Sequence, residues 1–300
     1  MAWGRVLLVG GVCAAALAAG IAASAPADVP GVPWTDYLPA LPSPSQTHPN
    51  RVGHCPRATM KCVRTEIRRM KALQEKLGCD HRAVFDTTYL ELTRTARDAM
   101  KANPHLLQWP RWFFREDALF ASVYFRTVRQ WERGDQVPPA WRIAFETAQS
   151  GEVTGAQDML LGINAHVQND MPFVLAALGL RDRHGRARKP DHDLFNQVLA
   201  AGYDRVVAAV GDRYDSSMAI TNPPGVPADD VAGLEMVRQW RENVWRNAEK
   251  LVNAKTDAER ADVAAQIQDY AAEWARGIAS TPTPGYRATR DAYCAQQLGG

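Results

Sequence analysis

The chain has 300 residues, of which 23% are charged, and a formal net charge of +2. Acidic and basic residues are interspersed, so the composition excludes the basic stripe of a nucleic-acid-binding protein, and we expect no nucleic-acid partner. Three hundred residues is long for a single domain. The N-terminal part of the chain, however, does not have the pattern of a folded domain.

The first segment, residues 1–27, has the pattern of a secretory signal peptide. Arg5 supplies the positive start, an apolar run over residues 6–23 follows, and small residues up to Ala27 fit a cleavage site. A retained transmembrane anchor is the alternative, since the run is close to the length that spans a bilayer. We favour cleavage, because the run is rich in Ala and Gly. We therefore predict a secreted protein, extracellular or held at the cell envelope, with no transmembrane span after signal cleavage.

Residues 28–52 are rich in Pro, Ser and Thr, and they predict an extended linker because Pro cannot continue a helix. Residues 53–300 repeat apolar positions at steps of three and four, which is the period of amphipathic helices. Asn103-Pro104 ends the second predicted helix, and Thr256 with Glu259 forms a capping box at the last one. We predict helices over Arg57–Leu77, Arg82–Ala102, Arg111–Arg133, Pro138–Gln149, Thr154–Leu180, Asp191–Tyr214, Ala228–Ala254 and Asp257–Ala279.

These elements and the lack of period-two alternation predict the all-α class: a single globular domain of about seven or eight helices, stabilised by disulfides. The cysteines outside the signal peptide are Cys55, Cys62, Cys79 and Cys294. An even number in an exported chain indicates two disulfides, with three connectivities open. We favour Cys62–Cys79, across the turn between two helices, and Cys55–Cys294, which ties the tail to the start of the domain.

The predicted helix over Thr154–Leu180 has apolar side chains on almost every side, which places it in the centre of the domain. Buried polar groups without partners cost about 1–3 kcal/mol each, so the polar residues of this helix need an explanation. They are Asn164, His166, Asn169 and Asp170.

His166 and Asp170 share one helix face, at a spacing that suits two ligands of one divalent metal ion. The same spacing suits a general base and the carboxylate that orients it. Two structural explanations compete with these. The pair can be hydrogen-bonded to each other with no catalytic role, or Asp170 can satisfy backbone donors that Pro172 frees by breaking the helix.

Other polar residues are weaker candidates. Asp191 is predicted as an N-cap, and His192 as a surface histidine unless the fold brings it beside His166, where it would be a third metal ligand. Asp86 follows Phe85 and could face inward as a further carboxylate, whereas His81 is predicted to be exposed. Gly-x-Ser-x-Gly, His-Glu-x-x-His and phosphate-loop signatures are missing from the sequence.

The segment Leu161-Gly-Ile-Asn-Ala-His-Val-Gln-Asn-Asp170 resembles the signature of an uncharacterised bacterial family, the domain-of-unknown-function family five-nine-nine-five. The resemblance covers Cys55–Ala279, and it implies that the motifs belong to one domain and converge around His166. It implies no activity, because that family has none assigned. The further motifs similar to those of the family are His81–Phe85, Pro138–Arg142, Lys189–Asp193 and Arg241–Arg246.

A weaker analogy is to secreted, zinc-dependent, all-α phospholipases C and single-strand nucleases, which also use His-x3-Asp on a buried helix. This chain differs from them because it is poor in histidine, with 7 in all, and has no second His-x3-Asp pair.

Two functions follow. The first is an exported hydrolase for a small-molecule or lipid-like ligand, with His166 and Asp170 as metal ligands or as base and orienter, and with Asn164, Asn169 and Asp86 positioning substrate or water. The second is a non-enzymatic envelope or extracellular binding protein, in which the cluster is a buried structural network.

Overall fold

The computed structural model describes residues 55–220 and 227–299, which are all helices and short connections. The predicted signal peptide, the whole predicted linker and its boundary with the domain lie outside the described residues. The α-helices are α1 (Met60–Leu77), α2 (Arg82–Ala102), α3 (Pro110–Glu132), α4 (Pro139–Ser150), α5 (Gly155–Ile163), α6 (Met171–Leu178), α7 (Lys189–Arg213), α8 (Ser217–Ile220), α9 (Pro227–Asn253), α10 (Asp257–Ala279) and α11 (Tyr286–Gly299).

The all-α class is confirmed, because the described residues form helices joined by short connections and contain no strand. Helix α10 begins where the sequence predicts, because the Thr256 side chain accepts a hydrogen bond from the Glu259 backbone N–H and the Glu259 carboxylate accepts one from the Thr256 backbone N–H. Thr154 caps α5 in the same way with Gln157. The short helix α8 and the C-terminal helix α11 were not predicted.

The predicted N-cap role of Asp191 is wrong. Helix α7 begins at Lys189, so Asp191 lies in its first turn. Its two carboxylate oxygens accept hydrogen bonds from the backbone N–H groups of Gln108 and Trp109, at 2.9 and 2.7 Å. Asp191 therefore fixes the start of α3, where backbone donors have no partners within their own helix.

The predicted central helix is confirmed in position but is not one continuous α-helix. Between α5 and α6 the chain forms a π-helix over Asn164–Asp170, in which the Met171 N–H donates to the His166 carbonyl five residues back. Pro172 follows at once, and in an α-helix its ring would clash with the Gln168 carbonyl. The wider π turn removes that conflict without a break. Such turns inside α-helices are frequent at functional sites.

Both disulfides are present, but the predicted pairing is wrong. Cys55 pairs with Cys62, which we call the N-terminal disulfide, and Cys79 pairs with Cys294, which we call the tail disulfide. Cys62 lies in the first turn of α1 and Cys79 lies just beyond its end, so one straight helix separates them by about 25 Å. A disulfide joins Cα atoms less than about 7 Å apart, which excludes that pair.

The segment α5–π–α6 lies at the centre of the fold. It contacts α2, α3, α4, α9 and α10, and α2 in turn contacts α1 and α7. Every residue of α6 is buried, as are all but one of the π segment's residues. None of the described helices is long and apolar enough to cross a membrane.

Candidate active site

His166 and Asp170 form a buried pair inside the π segment. The His166 Nδ1 atom is 2.9 Å from the Asp170 Oδ2 atom, and both side chains are at most 2% exposed. The same Oδ2 accepts a hydrogen bond from the Trp141 indole N–H at 2.9 Å, and Oδ1 accepts one from the Asn169 amide at 2.8 Å. Burial raises the pKa of Asp170, and the hydrogen bonds with His166, Trp141 and Asn169 oppose this rise by stabilising the ionised carboxylate. Its histidine contact then requires a donor, so the proton of neutral His166 lies on Nδ1.

This tautomer leaves a lone pair on His166 Nε2. That atom is buried and has no hydrogen-bond partner in the part of the chain that the structure describes. Burial lowers the pKa of His166 from its ordinary value of 6.5, and the Asp170 carboxylate offsets part of this shift. The imidazole is therefore neutral at pH 7, with its Nε2 atom able to accept a proton.

Aromatic rings fix the orientation of the imidazole. The Phe120 ring stacks on His166 with a centroid distance of 3.5 Å and an angle of 5° between the planes. Tyr89 and Phe85 meet it edge-on, with centroids 4.8 and 5.8 Å away. These rings come from α2 and α3, so tertiary packing rather than the π segment alone holds the histidine in place.

Two amide side chains hold the π segment against its neighbours. Asn164 donates to the Ala271 carbonyl of α10 at 2.8 Å and accepts from the Gln168 amide at 2.8 Å. Asn169 donates to Asp170, as described above. Neither Asn164 nor Asn169 is among the described residues that line the cavity. Their positions suit a role in holding His166 and Asp170 rather than in touching a ligand.

A cavity of about 300 Å³ lies beside the imidazole. His166 forms part of its wall together with residues of α2, α3, α5, α6, α7 and α9. Most of the lining is aliphatic or aromatic, and a mainly apolar pocket with a few polar groups is the usual form of a small-molecule site. The sequence contains no local signal for this cavity, because its walls come from six helices.

Two more polar atoms on the cavity wall were missed by the sequence analysis. The Tyr89 hydroxyl and the Asp117 Oδ2 atom are buried, and no described residue offers either a hydrogen bond. Burial, together with the nearby Glu66 and Glu116 carboxylates, raises the pKa of Asp117 well above its ordinary value. These groups lie on helices far from residue 166 in sequence, and only the folded chain brings them to the cavity.

Glu116 and Arg241 provide the charged side of the wall. Burial raises the pKa of Glu116 to about 7, an effect that the nearby Arg241 charge reduces. Arg241 is buried, donates to Asn196 Oδ1 at 2.8 Å and to the His192 carbonyl, and contacts the Met171 sulfur. Arg241 begins one of the segments that resemble the family's motifs, and its side chain lies in the interior.

His192 is buried rather than on the surface, so its prediction as a surface residue is wrong. It lies on α7, where Trp245 and Arg241 of α9 cover it. Nε2 is 3.0 Å from the Arg241 carbonyl and Nδ1 is 3.3 Å from the Arg241 guanidinium. Both ring nitrogens are thus engaged, and His192 is not one of the described cavity-lining residues.

The prediction that His81 is exposed is also wrong. Its side chain is 5% exposed, with Nδ1 2.9 Å from Asp158 Oδ2 and Nε2 3.1 Å from Asp291 Oδ1. Helix α11, which carries Asp291, was not predicted, so the sequence offered no partner that would bury His81. Asp86 faces inward, and burial raises its pKa well above the ordinary value, although the Tyr124 hydroxyl opposes this. Asp86 does not belong to the described part of the cavity wall.

The described residues contain no group of three or more His, Cys, Asp or Glu side chains arranged to hold a metal ion. A divalent ion bound by His166, Asp170 and His192 stays a prediction. The arrangement as it stands can do one thing without further groups: His166 Nε2 can take a proton from a molecule in the cavity while Asp170 stabilises the imidazolium.

Comparison with known proteins gives one match. The profile of the family of unknown function DUF5995 matches residues 63–281. This range contains every motif on which the resemblance in the sequence rests. No curated protein and no solved structure matches the chain.

Proposed function

The chain belongs to DUF5995, a family of unknown function, and from the geometry of its site we propose that it is a hydrolase of lipid-like small molecules whose general base is His166. The observation that carries this proposal is the unpartnered Nε2 atom of His166 on the wall of an apolar cavity of about 300 Å³. The Asp170 carboxylate behind Nδ1 supplies the orientation and charge stabilisation that a base needs.

The proposed reaction is addition of water to an acyl group. His166 Nε2 takes a proton from a water molecule as the water oxygen forms a bond to the acyl carbon. The tetrahedral intermediate then expels the leaving alkoxide, which takes the proton back from the imidazolium and departs as an alcohol. Asp170 keeps its negative charge throughout and lowers the energy of the imidazolium. Water is consumed, an acid and an alcohol are formed, and no redox change occurs.

We further propose that this hydrolase works outside the cytoplasm, secreted or held at the cell envelope. Two disulfides support this, because such bonds persist in oxidising compartments. A metal-assisted form of the reaction, with an ion on His166 and Asp170, remains a separate prediction that elemental analysis of the purified chain tests.

The test of the base is the substitution His166→Asn. The Asn amide still offers Asp170 a donor but has no group that accepts a proton. The matched control is His81→Asn, which also changes a buried histidine paired with a carboxylate, but away from the described cavity wall. The substrates are p-nitrophenyl esters of short and medium aliphatic acids and bis-p-nitrophenyl phosphate.

We expect His166→Asn to lower kcat/KM on at least one substrate by about 10²–10⁴-fold, while His81→Asn keeps most of the activity. Circular dichroism and thermal unfolding establish that both variants fold. Equal activity in the wild type and folded His166→Asn, or no hydrolysis of any substrate by the wild type, would overturn the proposal.

A non-enzymatic binding protein is the second candidate, and one observation favours it. The polar side chains of the π segment make two groups of hydrogen bonds that hold it in the fold: Trp141 and Asn169 donate to Asp170, and Gln168 donates to Asn164, which donates to the Ala271 carbonyl. Such a network stabilises a fold with no need of catalysis. This candidate predicts that His166→Asn reduces stability but that no substrate is turned over by either form.

A further inference from the structure

Three buried polar atoms belong to residues that line one cavity, and these residues come from three different structural elements. They are the Tyr89 hydroxyl on α2, Asp117 Oδ2 on α3 and His166 Nε2 on the π segment, and none has a hydrogen-bond partner within residues 55–220 and 227–299. A buried polar group with no partner costs about 1–3 kcal/mol, and folded proteins retain few of them. Three around one cavity indicate that a bound molecule supplies the partners.

The same three groups lie close to one another. The Tyr89 and His166 ring centroids are 4.8 Å apart. Asp117 lies one turn before Phe120 on α3, and the Phe120 ring stacks directly on His166. The polar head of a ligand that reaches His166 therefore also comes near Tyr89 and Asp117.

The rest of the cavity wall suits a hydrocarbon chain. Leu199 and Val206 of α7 line the cavity together with Leu234, Met236 and Val237 of α9, and no lysine lines its described part. Removing apolar surface from water at such a wall contributes about 25 cal/mol per Å². The wall therefore favours a ligand with an aliphatic body.

The charges at the polar end disfavour an anionic head. Glu116 and Asp117 both line the cavity, and Glu66 is close enough to act on the charge of Asp117. Above pH 7 the Glu116 carboxyl, whose pKa is about 7, is ionised, and an added anion would have to lie beside this negative charge in a poorly solvated space. The Arg241 guanidinium is held by Asn196 and His192, and the nearby Glu116 balances its charge.

We propose that the cavity binds an uncharged ester of an aliphatic acid, with the aliphatic chain between α7 and α9 and the carbonyl oxygen accepting a hydrogen bond from the Tyr89 hydroxyl. This inference rests on the proposed function, because it selects the carboxylic ester from the lipid-like substrates open to a His166 base. It excludes phosphoesters and free fatty acids as preferred ligands. The carboxylate formed by hydrolysis is repelled by Glu116 once Glu116 is ionised, which favours product release.

The test is a binding measurement that needs no turnover. N-phenyl-naphthylamine, an uncharged dye that fluoresces in apolar sites, is displaced at pH 8 by methyl nonyl ketone, decanoate or decyl phosphate. The ketone has the carbonyl of an ester but cannot be hydrolysed. At this pH Glu116, whose pKa is about 7, is ionised. We expect the ketone to bind at least tenfold more tightly than either anion.

Two variants locate the head of the ligand. Tyr89→Phe removes the hydroxyl on the cavity wall, and we expect it to weaken ketone binding several-fold. Tyr124→Phe is the matched control, because its hydroxyl belongs to the same aromatic cluster but faces Asp86. We expect it to leave ketone binding unchanged.

The inference is overturned if decanoate or decyl phosphate binds as tightly as the ketone, or if Tyr89→Phe binds the ketone as well as Tyr124→Phe does. The comparison of the three ligands on the wild type stands alone if Tyr89→Phe does not fold. Ketone binding without hydrolysis of any ester would overturn the proposed function and retain the ligand class. Ester hydrolysis without a preference for uncharged ligands would retain the proposed function and overturn the ligand class.

Discussion

Gly162 lies where the central helix packs tightly against Phe85 of α2. A Cβ atom at this position would lie 2.2 Å from the Phe85 Cγ atom and 2.5 Å from its Cβ atom, where ordinary contact begins at 3.4 Å. Phe85 lines the cavity and meets the His166 ring edge-on. The substitution Gly162→Ala thus tests whether α5 and α2 are packed as closely as the account of the site requires.

The expected size of the effect follows from two opposing contributions. Phe85 would have to move by about 1 Å or more in a close-packed interior, and overpacking of this kind costs about 1–3 kcal/mol. The replacement of Gly by Ala inside a helix stabilises by up to about 1 kcal/mol. We expect a net loss of about 1–2 kcal/mol in the free energy of unfolding, and a displaced Phe85 ring that also lowers esterase activity.

Urea unfolding followed by circular dichroism measures this change. The control is Gly277→Ala in α10, where nothing lies within 4 Å of the added Cβ, so only the gain of up to about 1 kcal/mol remains. If Gly162→Ala proves as stable as Gly277→Ala, the close contact between α5 and α2 is wrong, and with it the position of the cage around His166.

Three further predictions concern the disulfides and the titrating groups. Replacing both cysteines of the tail disulfide, which are 215 residues apart, by serine should lower the free energy of unfolding by about 5 kcal/mol. The same change at the N-terminal disulfide, whose cysteines are 7 residues apart, should lower it by about 2–3 kcal/mol. Equal losses in urea unfolding would contradict this. Because burial lowers the pKa of His166, kcat/KM should rise with pH to a plateau, with its midpoint below 6.5, and a midpoint above 7 would argue against His166 as the base. Glu116 has a pKa of about 7 in the folded chain, whereas its ordinary value is 4.5. The ionised side chain therefore destabilises the fold, and this loss of stability is largest above pH 7. Glu116→Gln should therefore gain stability relative to the wild type between pH 5 and pH 8, by up to about 3 kcal/mol, and a gain at low pH instead would refute this sign.

The helices were predictable where local signals end them. Asn103 and Pro104 stop α2, and the capping box at Thr256 starts α10, and both helices have the predicted bounds. The π segment was not predictable from periodicity, because seven residues are too few to distinguish the repeat of a π-helix from that of an α-helix. Pro172 did signal an irregularity, and the chain met it by widening the helix instead of breaking it.

The predicted disulfide pairing was wrong because it considered the order of the helices along the chain and not their lengths. Cys62 and Cys79 flank one helix of 18 residues, and its rise keeps them apart. The length of α1 was already visible in the apolar pattern, so this error was avoidable. The pairing of Cys79 with Cys294 was not, because it depends on where α11 docks.

The candidate site was predictable only in part. The spacing of His166 and Asp170 placed their side chains together, and the structure has them hydrogen-bonded. Their use as base and orienter, or as metal ligands, remains a prediction. Tyr89 and Asp117 have no neighbouring motif that marks them, and they join His166 only through the packing of α2 and α3 on the π segment.

The central claim is that His166 carries its proton on Nδ1 and presents an unprotonated Nε2 to the cavity. A long-range nitrogen–proton NMR correlation spectrum of isotope-labelled histidine reads this directly, with the His166 signals assigned by their loss in His166→Asn. At pH 7 we expect a neutral ring protonated at Nδ1, whose Nε2 resonance shifts when methyl nonyl ketone is added. A ring protonated at Nε2, or an imidazolium at that pH, would contradict it.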